Sequence, residues 1–298
     1  MATSGDYLRL HFIVFLWGFS AILGKLITLS AVELIWYRSF FAAVGMALVI
    51  MLSRGTFKVS GADTLRLVGI GTIVAMHWFS FFGSARLSNV SVSLVGFATN
   101  SLWAALLEPW FNRTQIKKYE LFLGLVVLAG LYIIFSFDFE YKLGLLVAVF
   151  AGFTTSLFSV LNARMVKRIP SRTISFYQMV SIFVVTGLCL PFVAATGTEI
   201  HFPVLPTFMD FIYILLLAGA CSVYAFTVAI ELMKRVSVFM IQLTLNLEPL
   251  YGIIMAVLIF GDQEKMSTNF YVGALMIMIA VIAYPFMRKR FDRPVLIN

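Results

Sequence analysis

The chain has 298 residues, of which 61% are hydrophobic and only 12% charged, with a mean hydropathy of +0.97. A soluble domain is about 45–50% apolar and about 25% charged, so this chain carries more hydrocarbon than one core can hide, and the surplus has to face lipid. The formal charge of +8 does not indicate nucleic acid, because the basic residues fall between apolar runs and form no basic face on a soluble fold.

A helix that crosses the hydrocarbon needs about 20 largely apolar residues, each adding about 1.5 Å against a thickness of about 30 Å. That window predicts ten spans: 9–28, 32–52, 65–83, 91–111, 119–137, 143–164, 173–194, 208–231, 238–260 and 269–287. The first follows a weakly charged head and has no small-residue cleavage site after it, so it reads as a retained span and not a removed signal. The runs are too long and too uniformly apolar for barrel strands, and the short connections make consecutive helices antiparallel neighbours. Cys189 and Cys221 both lie inside apolar runs, where a thiol behaves as a small hydrophobe, and they define no disulfide framework.

Seventeen of the 22 basic residues fall on the N-terminal side of these spans, four (Lys25, Arg86, Lys142 and Lys265) fall opposite, and Arg38 lies within a span. By the positive-inside rule both termini are expected in the cytoplasm.

The two halves of the chain match at offsets that drift only from 134 to 149. Gly18-Phe19-Ser20 returns as Gly152-Phe153-Thr154, and Trp36-Tyr37-Arg38 as Phe176-Tyr177-Gln178. Gly71 returns as Gly219, Asn100-Ser101-Leu102-Trp103 as Glu248-Pro249-Leu250-Tyr251, and Phe122-Leu123-Gly124 as Tyr271-Val272-Gly273. The units are residues 1–140 and 141–298. Each holds five spans, an odd number, so the second enters the membrane in the opposite sense to the first. Inverted repeats of this kind enclose a central site that opens alternately to either side, which predicts a transporter.

The order of Trp17-Gly18, Lys25, Arg38, Ala85-Arg86 before a Ser-rich turn, Leu247-Glu248-Pro249-Leu250 and Gly273 resembles the drug/metabolite transporter superfamily, EamA type, over essentially the full chain. The resemblance implies an all-α membrane fold of ten helices in two inverted five-helix repeats around a central cavity. It implies exporters of amino acids, metabolites or drugs, in the multi-pass setting of a bacterial inner membrane. Members of the family often carry Pro in span four where this chain has Ser101, so the expected proline hinge is missing there.

Ionisable groups within a span are costly, which marks them as functional candidates. Glu248 falls near the midplane and suits a substrate amine or a coupling proton; a structural carboxylate bonded across a helix interface is the alternative. The adjacent Pro249 frees a carbonyl near Leu245. Arg38 suits a carboxylate as a planar clamp, whereas Lys25 reads as a snorkelling side chain. Glu108 sits near a helix end and is expected to reach water. Trp17, His77, Trp78, Asn100, Trp103, Asn162, Tyr224, Gln242 and Asn246 lie at similar depth and predict an amphipathic lining of amides among aromatic walls, although Asn and Gln also join membrane helices. Gly124, Gly130, Gly273 and Ala280 predict close backbone packing within the bundle or to a second copy.

No nucleotide-binding motif, metal-ligand spacing or nucleophile set is present in the sequence, so no cofactor and no catalytic residue is expected. The partners expected are a small-molecule substrate, the lipid bilayer and protons, the chain being a monomer or a homodimer. The leading reading is a secondary exporter of an amino-acid-like or drug-like solute. A channel-like permease and an intramembrane enzyme using His77 are the alternatives, and direction of flux and coupling stay open at this stage.

Overall fold

A computed structural model describes residues 2–88, 90–135, 142–195, 205–248, 250, 251, 255 and 268–292, and it is helical, with no strand, throughout these residues. Among them, six stretches are long and apolar enough to cross a membrane: Ala31–Leu52, Gly61–Ala85, Lys142–Met165, Ser171–Pro191, Phe208–Leu232 and Tyr271–Phe291. Their outward side chains, among them Leu52, Leu188 and Phe286, are large, apolar and exposed, as lipid contact requires.

The chain begins with α1 (Ser4–Leu26), α2 (Ala31–Leu52) and α3 (Gly61–Leu87). Each start is fixed by a hydroxyl one residue outside the helix: Thr3, Ser30 and Ser60 accept from the backbone N–H groups of Asp6, Glu33 and Asp63. The fourth expected span is broken into α4 (Val90–Phe97) and α5 (Asn100–Asn112), and α6 (Lys118–Phe135) covers the fifth. The second half runs through α7 (Lys142–Met165), α8 (Ser171–Ala195) and α9 (Phe208–Leu216). From α9 the chain passes without interruption through a π-helix (Leu217–Phe226) into α10 (Thr227–Leu232). The ninth expected span begins as α11 (Val238–Leu245) and lies mostly outside the described residues beyond Tyr251; α12 (Thr268–Phe291) is the last helix.

The repeat read from the sequence is written into the backbone at the break. In the first half, Thr99 N–H donates to Gly96 O and Trp103 N–H to Thr99 O; in the second, Leu247 N–H donates to Thr244 O and Tyr251 N–H to Leu247 O. Every partner is displaced by the same offset of 148 that relates Asn100 to Glu248. The first break needs no proline. Thr99 Oγ1 takes the Gly96 carbonyl at 2.7 Å, and Gly152 of α7 lies so close that an added Cβ would sit 2.8 Å from Phe97 O and 2.6 Å from Thr99 Oγ1.

A second matched pair ties opposite ends of the bundle. Asp63, three residues after the cap of α3, binds Arg168 in the turn between α7 and α8. Asp210, three residues after the Thr207 cap of α9, accepts from Thr28 N–H and Thr28 Oγ1 in the turn between α1 and α2. Spans five and ten pack on each other as α6 against α12, where a Cβ on Gly130 would meet Gly273 O at 2.8 Å. Of the small residues expected at close contacts, Gly130 and Gly273 therefore meet each other, Gly124 lies against Leu102, and Ala280 is fully buried.

Candidate functional site

The helices surround a cavity of about 130 Å³ at the centre of the bundle. Each half supplies wall: Trp17 and Ser20 from α1, Arg38 from α2, His77 and Trp78 from α3, Thr155 and Ser159 from α7, Ser222 from the π-helix, Gln242 from α11, and Glu248 just beyond it. Phe81, Phe97, Phe158 and Phe226 close the spaces between the polar groups. Among the described residues the result is a small chamber with one cation, one carboxylate, several hydroxyls and amides, and aromatic panels between them, the composition of a site that orients a small organic molecule.

The polar side chains are held individually. Trp17 Nε1 donates to Cys221 O at 3.1 Å, anchoring the indole to the π-helix. Arg38 Nε donates to Ser222 Oγ at 2.8 Å, and its guanidinium lies 4.8 Å from the centre of the Trp78 ring. His77 Nδ1 donates to Ala151 O at 3.0 Å; a carbonyl can only accept, so the proton sits on Nδ1 and Nε2 is left as the second ring nitrogen. Gln242 Nε2 donates to Ser159 Oγ at 2.8 Å. Arg38 and Glu248 line the same chamber; Ser222 and Trp78 make the close contacts to Arg38, and among the described residues no ion pair joins the two at contact distance.

Seven of the eleven residues expected at the site line the chamber together: Trp17, Arg38, His77, Trp78, Asn162, Gln242 and Glu248. Asn100 and Asn246 are buried outside its walls, and Trp103 packs edge-on against Phe153 at 5.3 Å. Tyr224 stands on the outer surface, 44% exposed, in an edge contact with Phe12. Its position follows from the π-helix, in which each i→i+5 turn takes up one residue more than an α turn and rotates the following side chains. The side chain of Lys25 and all of Pro249 fall outside what the structure describes.

Glu108 is half-buried near its helix end, and its carboxylate accepts from Val238 N–H at 3.1 Å and Phe239 N–H at 2.9 Å, capping α11 from the side. Sequence reasoning left out Ser222, Thr155 and Ser159. They carry no charge and no motif, and only the small-residue run around Cys221-Ser222 signals a helix face that another group can approach.

The EamA-like transporter family matches the chain twice, over residues 7–136 and 142–284. The chain belongs to that family, and it is a multi-pass membrane transporter. One solved crystal structure, described in its title only as that of a protein, superposes with a TM-score of 0.80 over 98% of this chain and 100% of its own. At 16% identity it shares the fold alone. No curated protein matches the sequence significantly.

Proposed function

We propose that the protein is a secondary exporter of a small organic solute, amino-acid-like or drug-like, that works by alternating access about the central chamber. The observation that carries this reading is the presence of Arg38 and Glu248 in the lining of one chamber, with the Arg38 guanidinium hydrogen-bonded to Ser222. A zwitterion brings one charge for each: its carboxylate to the guanidinium and its amine to Glu248, while Trp17, Trp78 and Phe158 receive the apolar part. The empty chamber keeps Glu248 protonated and neutral, and the solute amine supplies the cation that lets its carboxylate ionise.

The matched halves supply the means of exposure, because each can adopt the arrangement of the other and so turn the chamber from one face to the other. Glu248 also serves as the proton carrier, releasing its proton when the solute amine arrives. In this reading both termini are cytoplasmic, the membrane is the cell membrane, and the chain acts as a monomer or homodimer without a cofactor.

Proteoliposomes test the coupling. A pH gradient is expected to accelerate saturable flux and counterflow, and Glu248→Gln is expected to remove the acceleration. Identical pH dependence in wild type and variant would refute proton exchange at Glu248. Flux that never saturates would refute a carrier.

A further inference from the structure

Four residues on α5, on α11 and at the α11 C-cap share an unusual property. Both amide atoms of Asn100 and of Asn246, Trp103 Nε1 and Gln242 Oε1 are buried without a hydrogen-bond partner. Asn100 is fully buried and Asn246 is 2% exposed. Their neighbours are settled: Ser156 Oγ donates to the Asn100 carbonyl at 2.6 Å, and one turn further along α7, Ser159 Oγ accepts from Gln242.

The four lie on two helices, α5 and α11, that pack on each other and on α7, against which Trp103 meets Phe153 and Gln242 meets Ser159. Glu108 holds the first N–H groups of α11, which sets α5 and α11 antiparallel. Eight residues from that contact on each helix, about 12 Å along the axis at about 1.5 Å per residue, stand Asn100 and Asn246. Trp103 and Gln242 lie a turn nearer to Glu108, and Gln242 also lines the chamber. A buried amide without a partner loses its hydration and gains nothing, so six such atoms on these adjoining helices penalise the closed arrangement.

We propose that the seam between α5 and α11 opens during transport into a second polar compartment beside the chamber, one that takes a neutral hydrogen-bonding group. The atoms decide the chemistry. Three amide oxygens accept, and the two amide nitrogens with the indole N–H donate. A carboxylate would face the oxygens and an ammonium would face the N–H groups, whereas an amide, a hydroxyl or water satisfies both. The compartment receives such a group from the transported solute or from the water that follows it, while the charged ends of the solute stay at Arg38 and Glu248. This rests on the transporter reading above, but its labelling test does not require flux.

The full chain is purified with Cys189→Ser and Cys221→Ser, and Asn246→Cys is added as the reporter. A small water-soluble methanethiosulfonate reagent is expected to modify this cysteine at least tenfold faster than one placed at Val127, which is fully buried on α6. L-Glutamine at millimolar concentration distinguishes the sources. Slower modification assigns the compartment to the solute, and an unchanged rate assigns it to water. Absence of modification overturns the proposal.

A second variant guards against misfolding of the first. Asn100→Leu with Asn246→Leu replaces the orphaned amides by side chains of similar size, and is expected to raise the thermal midpoint and lower turnover. A lowered midpoint with turnover unchanged would show the amides to be structural, and would overturn the proposal. If the wild type carries no saturable flux, the transporter reading fails while the labelling result still stands.

Discussion

Arg38 shows how a buried cation is kept aimed. Its guanidinium is fixed at one edge by Ser222 Oγ and on one face by Trp78, leaving the rest of the fork toward the chamber. A hydrogen bond from a charged donor contributes about 1.5–3 kcal/mol, so its loss in Ser222→Ala is expected to raise the half-saturation concentration by about tenfold or more. Solute uptake measured over a concentration series checks this; an unchanged half-saturation would mean that Trp78 alone holds the side chain.

At the same scale, the sequence reading recovered depth but not direction. Trp17, His77, Gln242 and Glu248 were legible because polar and aromatic groups at one depth on different helices converge when those helices surround a common space. Asn100, Trp103 and Tyr224 share that depth but point elsewhere, since helix rotation depends on packing partners that no single segment encodes. For Tyr224 the π-helical winding, with more residues per turn than an α-helix, shifts the azimuth by a fraction of a turn, and nothing in Leu217–Phe226 announces it.

Among the elements, the break between α4 and α5 depends on its neighbour as much as on its own residues. Gly152 of α7 lets the backbone at Phe97–Asn100 approach it, and a Cβ there would fall 2.6 Å from Thr99 Oγ1 and 3.1 Å from Asn100 N. Gly152→Ala is therefore expected to cost about 1–3 kcal/mol as overpacking, read as a lower thermal midpoint. Gly69 has nothing within 4 Å of an added Cβ, so Gly69→Ala is expected to leave the midpoint unchanged or slightly higher. Equal effects of the two substitutions would contradict the close approach.

The repeat was legible because short matched stretches keep their order at offsets that drift only from 134 to 149, but the break itself was not. The sequence shows Ser101 where a proline would have marked a hinge, and the actual device is a threonine hydroxyl competing for a carbonyl. Likewise, Glu108 looked like a helix-end group from its own span, and its role as a cap depends on α11 arriving beside it.

Across the whole molecule, polar ties join distant parts of the chain at its ends. Asp6 binds Thr3 through the backbone N–H and hydroxyl and reaches Arg235, in the turn before α11, at 3.0 Å. The Thr3 N–H holds the Asp6 carboxyl below the usual carboxylate range; burial opposes this, and the Thr3 hydroxyl, Arg235 and Arg9 add to it. A folded-state pKa below the unfolded value stabilises the protein above about pH 4, and the contribution fades as pH falls through the folded value. The thermal midpoint is expected to drop between about pH 5 and pH 3 more steeply in wild type than in Asp6→Asn. Parallel pH profiles would show that Asp6 is not among the groups responsible.

The meeting of Gly130 with Gly273 has a mechanical consequence. Where main chain lies directly on main chain, no rotamers remain to rearrange and no gap remains to be taken up, so α6 and α12 travel as one pillar. Any rocking of the molecule has that pillar for its spine, and the widest excursions belong to the helices farthest from it, as the free edges of a book move while its binding stays shut.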